Sequence, residues 1–372
     1  MRSIYLDFNA STPIDPAVAA AMRPLVADAF GNPSSAHWAG ATAKAALENA
    51  RSEVAALLRC AADEIVFTSG GSEANNLALK GLYFPRRDRS SHIVTSQIEH
   101  PAILAPCRFL ERLGVAVTYV PVDRTGRVDP DDIRNAITRD TFLISIMHAN
   151  NEVGTVQPVA EIAKIAHAHG IPLHTDAAQS AGKIPTNVDE LGVDLLSVAG
   201  HKLYAPKGIG ALYIRHGLVL EPLIHGAGHE GGRRAGTESA VLAASLGKAC
   251  EIAGPDLGLP ATRRLRDRFW DRLRAVFGDR VTLNGHIGER LPNTLNVSFA
   301  GQVGADILAR MPEVAASTGS ACHSGRVMLS PVLEAMGISP EAGLGAIRLS
   351  LGRGTTEEEI EQVVDRLHRL LA

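Results

Sequence analysis

Short apolar runs alternate with helical patterns up to Ile214, and that rhythm constrains the fold more than any other feature. The runs are Glu64–Thr68, His92–Thr95, Val115–Val120, Phe142–Met147, Pro172–Thr175, Leu195–Val198 and Gly210–Ile214. Their shortness and β-branched content read as strands buried on both faces. Helical periodicity lies between them at Glu73–Leu82, Ala102–Leu113, Pro130–Ala136 and Val159–His169. Strand–helix alternation of this kind builds an open α/β layer with a largely parallel sheet. Two helices precede it. One opens at Asp15-Pro16 and the other, rich in alanine, runs through Leu47, Val54 and Leu58.

The rhythm breaks near Ala253-Gly254-Pro255. An arginine-rich amphipathic helix follows (Leu265, Phe269, Leu273, Val276), then strands at Thr294–Phe299 and Ala346–Ser350. Thr356-Glu357-Glu358-Glu359 is a capping box, and the helix after it presents Ile360, Val363, Val364 and Leu367 on one face. A chain of 372 residues exceeds what one core usually organises. A domain boundary is therefore expected near residue 255, giving 16–254 and 255–372.

Composition narrows the function. A net charge of −3 and an aromatic share of 4% give no footing for a nucleic-acid partner. No apolar run approaches the ~20 residues that span a bilayer, so no membrane partner is expected. Cys60, Cys107, Cys250 and Cys322 are scattered, with no CxxC pair and no zinc spacing. No metal is expected, and a reduced, cytoplasmic setting fits.

The polar candidates sit where strands end. Ser69-Gly70-Gly71-Ser72-Glu73 follows the first run, Glu99-His100 the second and Asn150-Asn151-Glu152 the fourth. Asp176-Ala177-Ala178-Gln179 follows the fifth and His201-Lys202 the sixth. In an open sheet those ends line one crevice, where ligands bind. Gly70-Gly71-Ser72 before a helix suits a phosphate, or else is a plain N-cap. A desolvated Lys202 would form a Schiff base, while most lysines simply reach solvent. Asp176 suits a pyridine nitrogen, or caps a helix. His100 is a base or ring-stacking candidate, or a core histidine. Cys322, between small residues in Gly319-Ser320-Ala321-Cys322-His323, is an accessible thiol or a filler. Arg348, a charge inside a strand pattern, wants a carboxylate from a ligand or from the protein itself. Together these are the parts of a pyridoxal-phosphate (PLP) enzyme acting on a sulfur amino acid.

Two other patterns carry less. Gly226-Ala227-Gly228-His229-Glu230-Gly231 matches GxGxxG but comes late, with no acidic residue at a strand end about twenty residues on. His167-Ala168-His169 ends a helix and reads as a C-terminal contact rather than a metal site.

With these residues assembled, the chain resembles the long-loop cysteine desulfurases of the class V aminotransferase fold type. The resemblance rests on Tyr5-Leu6-Asp7-Phe8-Asn9-Ala10, Phe30-Gly31-Asn32-Pro33-Ser34-Ser35, Phe67–Glu73, Ile98-Glu99-His100, Asn150–Gly154, Gly200-His201-Lys202, Gly236-Thr237-Glu238 and Gly319–Cys322. It implies a PLP-dependent transferase of fold type I. Its large domain would hold a mainly parallel seven-stranded sheet. Its smaller α+β C-terminal domain would pack with residues 1–15. Lys202 would hold PLP covalently, Asp176 would pair with the pyridinium, and His100 would stack on the ring. Asn151 and Gln179 would surround the phenolic oxygen. Gly71, Ser72 and His201 would bind the phosphate, with Thr237 reaching it from the other subunit of a homodimer. Arg348, helped by Asn32, would take the substrate carboxylate. Cys322 would receive sulfur from L-cysteine as a persulfide, release L-alanine, and pass the sulfur to an acceptor protein, as in iron–sulfur cluster assembly. tRNA thiolation and DNA phosphorothioation are other possible destinations.

Three positions depart from the pattern. Ala199 replaces a phosphate-binding serine, Ser72 a threonine, and His323 a threonine. Ala199 and Cys322-His323 are similar to selenocysteine lyases, so release of selenium from L-selenocysteine is the alternative. A weakly active scaffold subunit and an aminotransferase are two further readings.

Overall fold

The seven runs form one sheet. The computed structural model describes residues 3–254, 259–318, 322–323 and 326–371. In it the strands are β1 (Ile65–Thr68), β2 (His92–Ser96), β3 (Ala116–Val120), β4 (Thr141–Ser145), β5 (Leu173–Asp176), β6 (Leu195–Ala199) and β7 (Gly210–Ile214). They lie in the order β1-β7-β6-β5-β4-β2-β3. Only β7 runs against its neighbours. Every strand but the edge strand β3 is buried at each position. Helices on both faces explain this. Ile65 and Phe67 pack into the core with Val54, Leu58 and Leu246, whereas Val66 packs with Leu77, Ile103 and Cys107 on the opposite face.

A second core forms around an antiparallel sheet of β8 (Val281–Asn284), β9 (Thr294–Phe299) and β10 (Ala346–Ser350). The arginine-rich helix Leu259–Phe277 and the last helix Glu357–Leu371 contribute Phe269, Leu273, Ile360, Val364 and Leu367 to it. Ile4 and Leu6 are buried in the same cluster. Thr356 and Glu359 exchange the two capping-box bonds at 3.0 and 3.2 Å. Residue 255, where a boundary is expected, lies outside the described residues. The backbone at Cys322–His323 pairs antiparallel with Arg326–Val327.

One ion pair locks β1, the strand that delivers Gly70–Ser72. Glu230, buried on the turn His229–Gly232, takes both terminal nitrogens of Arg51 at 2.7 and 2.8 Å and the Phe67 N–H at 2.9 Å. Arg51 also donates to the Ile65 carbonyl at 2.6 Å. Glu230→Gln keeps the shape and removes the charge facing the guanidinium. It is expected to lose about 3 kcal/mol, read as a lower denaturant midpoint. An unchanged midpoint would contradict this account.

Candidate active site

At the carboxyl ends of the strands a cavity of about 630 Å³ opens. Gly71 and Ser72 reach it after β1, His100 after β2 and Asn151 after β4. Asp176 and Gln179 reach it from β5, and His201 and Lys202 from β6. The second core adds Arg348 from β10, and the N-terminal segment adds Asn9, Ala10 and Ser11.

Lys202 ends the short turn Gly200–Lys202 that follows β6. Its Nζ donates to the carbonyls of Asn9 and Ala10, the latter at 2.7 Å. Burial, with the Arg348 charge added, pushes its ammonium down to about 8 against the pull of Asp7 and Asp176. A substantial share of the amine is therefore neutral just above pH 7, as nucleophilic lysines require.

Asp176 is buried with its carboxylate fixed twice. Asn75 Nδ2 donates to Oδ2 at 2.7 Å, and the Ala178 N–H donates to Oδ1 at 2.9 Å. Glu99 lies nearby, accepting from Ser96 Oγ at 2.7 Å and the Met147 N–H at 2.9 Å. Burial, reinforced by the Asp176 charge, raises the Glu99 carboxyl to about 8, so it is mostly protonated at pH 7.

His100 caps the helix Pro101–Glu111, its Nδ1 accepting the Ala102 N–H at 3.1 Å. That bond leaves the ring proton of the neutral form on Nε2. Burial lowers the imidazole's basicity; Asp176 opposes this and Lys202 adds to it. His201 is driven down to about 4 by burial and the charges of Lys202, Lys207 and His100, so it is neutral at pH 7.

The helix Gly71–Tyr83 points its N-terminus at the cavity. Gly70 has φ +150° and ψ 179°, a conformation that favours glycine. A Cβ at Gly71 would come within 3.2 Å of the Ala199 Cβ. Ala199 thus faces this helix start with a methyl group in place of a hydroxyl.

Arg348 is buried on β10. Its Nη2 pairs with Asp7 at 2.7 Å, its Nη1 donates to the Asn151 carbonyl at 3.1 Å, and its Nε has no partner among the described residues. The Asp7 pair is the internal partner that a buried arginine needs, and the guanidinium still lines the cavity.

Two expected residues stand elsewhere. Asn32 is exposed, with its Oδ1 accepting the Ser34 N–H at 2.9 Å, and does not line the cavity. Thr237 lines a separate cavity of about 170 Å³ that shares Ser69 and Gly208 with the first. The Cys322 side chain lies outside the described residues. Of the other patterns, His167 Nε2 pairs with Asp194 at 3.0 Å and His169 Nδ1 bonds the Ile165 carbonyl at 2.9 Å. No metal-binding cluster occurs among the described residues.

The comparisons decide the family. Aminotransferase class-V matches residues 4–363. "Cysteine desulfurase IscS" of Dictyoglomus turgidum is 48% identical, covering 100% of this chain and 95% of that protein. A "NifS-like protein" of known structure superposes with TM-score 0.93 at 36% identity, over 99% of both chains. "SspA in complex with cysteine" superposes with TM-score 0.85 at 39% identity, over 95% of this chain and 100% of that one. The chain belongs to the cysteine desulfurases of the class V aminotransferase family. Desulfurases of this family depend on pyridoxal phosphate, and so does this enzyme.

The donor set fits that cofactor. The cavity presents an amine of lowered basicity, a buried carboxylate, and a helix N-terminus whose Gly71 leaves little room for a Cβ. Asn75 Oδ1, Ser11 Oγ and Arg348 Nε are buried there without partners among the described residues. Bottom-up reading of the sequence missed Asn9, Asn75 and Asp7 as site residues. Asn75 left a signal, a polar residue on the apolar face formed by Ala74, Leu77 and Ala78. Asn9 and Asp7 left none of their own, since their partners lie more than a hundred residues away.

The Lys202 amine gives a direct test. In cofactor-free protein its acylation, mapped by mass spectrometry, should show a midpoint near pH 8. A midpoint near 10.5, the ordinary lysine value, would rule out the depressed basicity.

Proposed function

We propose that this enzyme converts L-cysteine to L-alanine, stores the sulfur as a persulfide on Cys322, and passes it to an acceptor protein. The observation that carries the reading is the convergence of the Lys202 amine, the Asp176 carboxylate and the Arg348 guanidinium on one cavity. The similarity to proteins named cysteine desulfurase favours cysteine over L-selenocysteine. The two apolar cores are read as a large domain and a small one, with the N-terminal segment belonging to the small one.

Lys202 would hold pyridoxal phosphate covalently, and Asp176 would face its pyridine nitrogen. Asn151, Gln179 and His100 would surround the ring, and Gly71, Ser72 and His201 would take the phosphate. When bound, the cofactor supplies an electron sink for the pair left at the substrate Cα. Arg348 orients the substrate through its carboxylate. Displaced by the substrate's own amino group, Lys202 would become a free amine that takes the α-proton, and the Asn9 and Ala10 carbonyls would hold the ammonium that results. The Cys322 thiolate attacks the substrate sulfur. An S–S bond forms and the Cβ–S bond breaks. The electron pair stays with carbon; Cβ takes the proton given up by the substrate thiol, Cα takes back the one held on Lys202, and alanine leaves while the persulfide remains as its anion.

A homodimer agrees with two features. Phe30 and Trp38 are 75% and 82% exposed and touch edge to face, an apolar pair that a partner would cover. Thr237 stands outside the cavity, as a residue completing a neighbouring subunit's site would. The scattered thiols fit a reduced, cytoplasmic setting. Burial pushes Cys60 and Cys107 up to about 12, so they are inert at neutral pH. Among the described residues no helix is long and apolar enough to cross a membrane.

Mixing the enzyme with cysteine should yield alanine and a persulfide on Cys322, detected by mass spectrometry. Cys322→Ala should keep bound PLP and lose alanine release by about a thousandfold or more. Arg348→Ala should raise KM for cysteine about ten- to a hundredfold. A keto acid product without alanine would point to an aminotransferase and overturn the reading.

A further inference from the structure

Lys183 is a partly buried cation behind Gln179 that none of the steps above uses. It follows Gln179 by four residues, and its Nζ donates to Gln179 Oε1 at 3.2 Å. Gln179 Nε2 donates to the Asn9 carbonyl at 2.9 Å, and that same carbonyl accepts Lys202 Nζ. The two ends of the amide are therefore fixed by chemistry. The Asn9 carbonyl only accepts, and Lys183 donates to Oε1 as an ammonium below about pH 7 and through an amine N–H above it. Turning the amide over would set oxygen against oxygen at Asn9 and, while Lys183 is charged, N–H against ammonium. Held as it is, Gln179 has its carbonyl occupied by Lys183 and one N–H occupied by Asn9. Its second N–H is the group left for the cavity that it lines.

The lysine is also costly. Burial lowers it to about 7, with the Lys202 and Arg348 charges acting in the same direction. A folded-state value below the unfolded one means that charged Lys183 destabilises the fold. The cost is full below about pH 7 and fades as pH rises toward 10.5, the ordinary lysine value. A methionine of similar length would avoid it. A buried charge kept at a cost invites a role beyond packing.

We propose that Lys183 is a positioning residue for the cofactor site: it fixes the Gln179 amide so that a donor, never an acceptor, meets the cofactor's phenolic oxygen. The proposal rests on reading the cavity as the pyridoxal-phosphate site. Lys183→Met removes the donor and keeps the length, whereas Lys183→Arg keeps a donor.

The test uses holoenzyme throughout. Retention of PLP is measured by equilibrium dialysis. The pH midpoint of the bound cofactor's visible absorption is measured by titration. Lys183→Met should bind PLP about three- to tenfold more weakly, the worth of one hydrogen bond. Its absorption midpoint should shift, and Lys183→Arg should restore both. In a Gln179→Leu background the methionine should add no further loss, because the two residues act as one unit. Wild-type retention and midpoint in Lys183→Met would overturn the proposal. So would a methionine effect that persists undiminished beside Gln179→Leu, since that marks a merely structural role. Neither readout involves cysteine, so a wild type that binds PLP but releases no alanine sinks the proposed activity alone. A wild type that takes up no PLP sinks both.

Discussion

The site depends on an amine held by carbonyls. Lys202 Nζ meets the Asn9 and Ala10 carbonyl oxygens, which fix its position by accepting hydrogen bonds. A carboxylate in the same place would fix it equally well and stabilise the charge far more, since two opposite full charges attract more strongly than a charge and a carbonyl dipole. The choice of acceptor therefore leaves burial and the Arg348 charge free to lower the ammonium to about 8. It also dictates the route of the chain. The N-terminal segment must pass the end of β6, and it does so anchored by Ile4 and Leu6 in the second core. Asp7 meets Arg348 on the way, and Asn9 bonds Thr294, Asn293 and the Asn151 carbonyl. The reactive amine is thus placed by residues from both cores at once.

The charge balance of the cavity follows from the same arrangement. Lys202, Arg348 and Lys207 line it as cations, and Lys183 stands behind Gln179. Glu99 is mostly protonated at neutral pH, and His201 is uncharged. Asp176 is committed to Asn75 and the Ala178 N–H, and Asp7 to Arg348. A cleft of this balance draws anions. The substrate carboxylate and the cofactor phosphate are both anions, and the cations stand at separate places in the cleft. Arg348 comes from β10, while Lys207 lies beyond the Gly200–Lys202 turn.

Most of this arrangement was legible where chemistry and secondary structure coincide. Polar residues at the ends of five apolar runs specified the crevice, because a parallel sheet brings those ends together whatever the intervening helices do. Lys202, Asp176, His100 and Gly71 line the cavity for that reason. The reversed direction of β7 was less accessible. Its run looks like the others, and only the short link from Ala199 to Gly210 hints at a hairpin. Asn9 and Asp7 were invisible to local reading because their meaning lies in partners on β9 and β10. Lys183 carries no local signal of its own, because its contact with Gln179 and its partial burial arise only in the folded chain. Thr237 and Asn32 entered through resemblance alone, and in a single chain neither reaches the cavity.

On the proposed reading, in which the helix start at Gly71 takes the cofactor phosphate, a missing hydroxyl there is offset. At Ala199 a methyl group faces Gly71, so β6 contributes no side-chain donor there. The first turn of the helix Gly71–Tyr83 also carries Glu73, a carboxylate that would repel a phosphate if it turned toward the ligand. It is turned away. Glu73 accepts the Ser69 N–H at 2.7 Å and Arg234 Nε at 2.9 Å. Burial raises the Glu73 carboxyl, but those bonds to Arg234 and Ser69 hold it below its ordinary value, so it stays ionised and paired. The helix N-terminus then acts with its own N–H groups and partial positive charge. Ser72 adds a hydroxyl, neutral His201 adds a ring N–H, and Lys207 adds the full positive charge. The Arg234–Glu73 pair is therefore as much a condition of anion binding as the glycines, because without it the nearest fixed charge at the helix start would be negative.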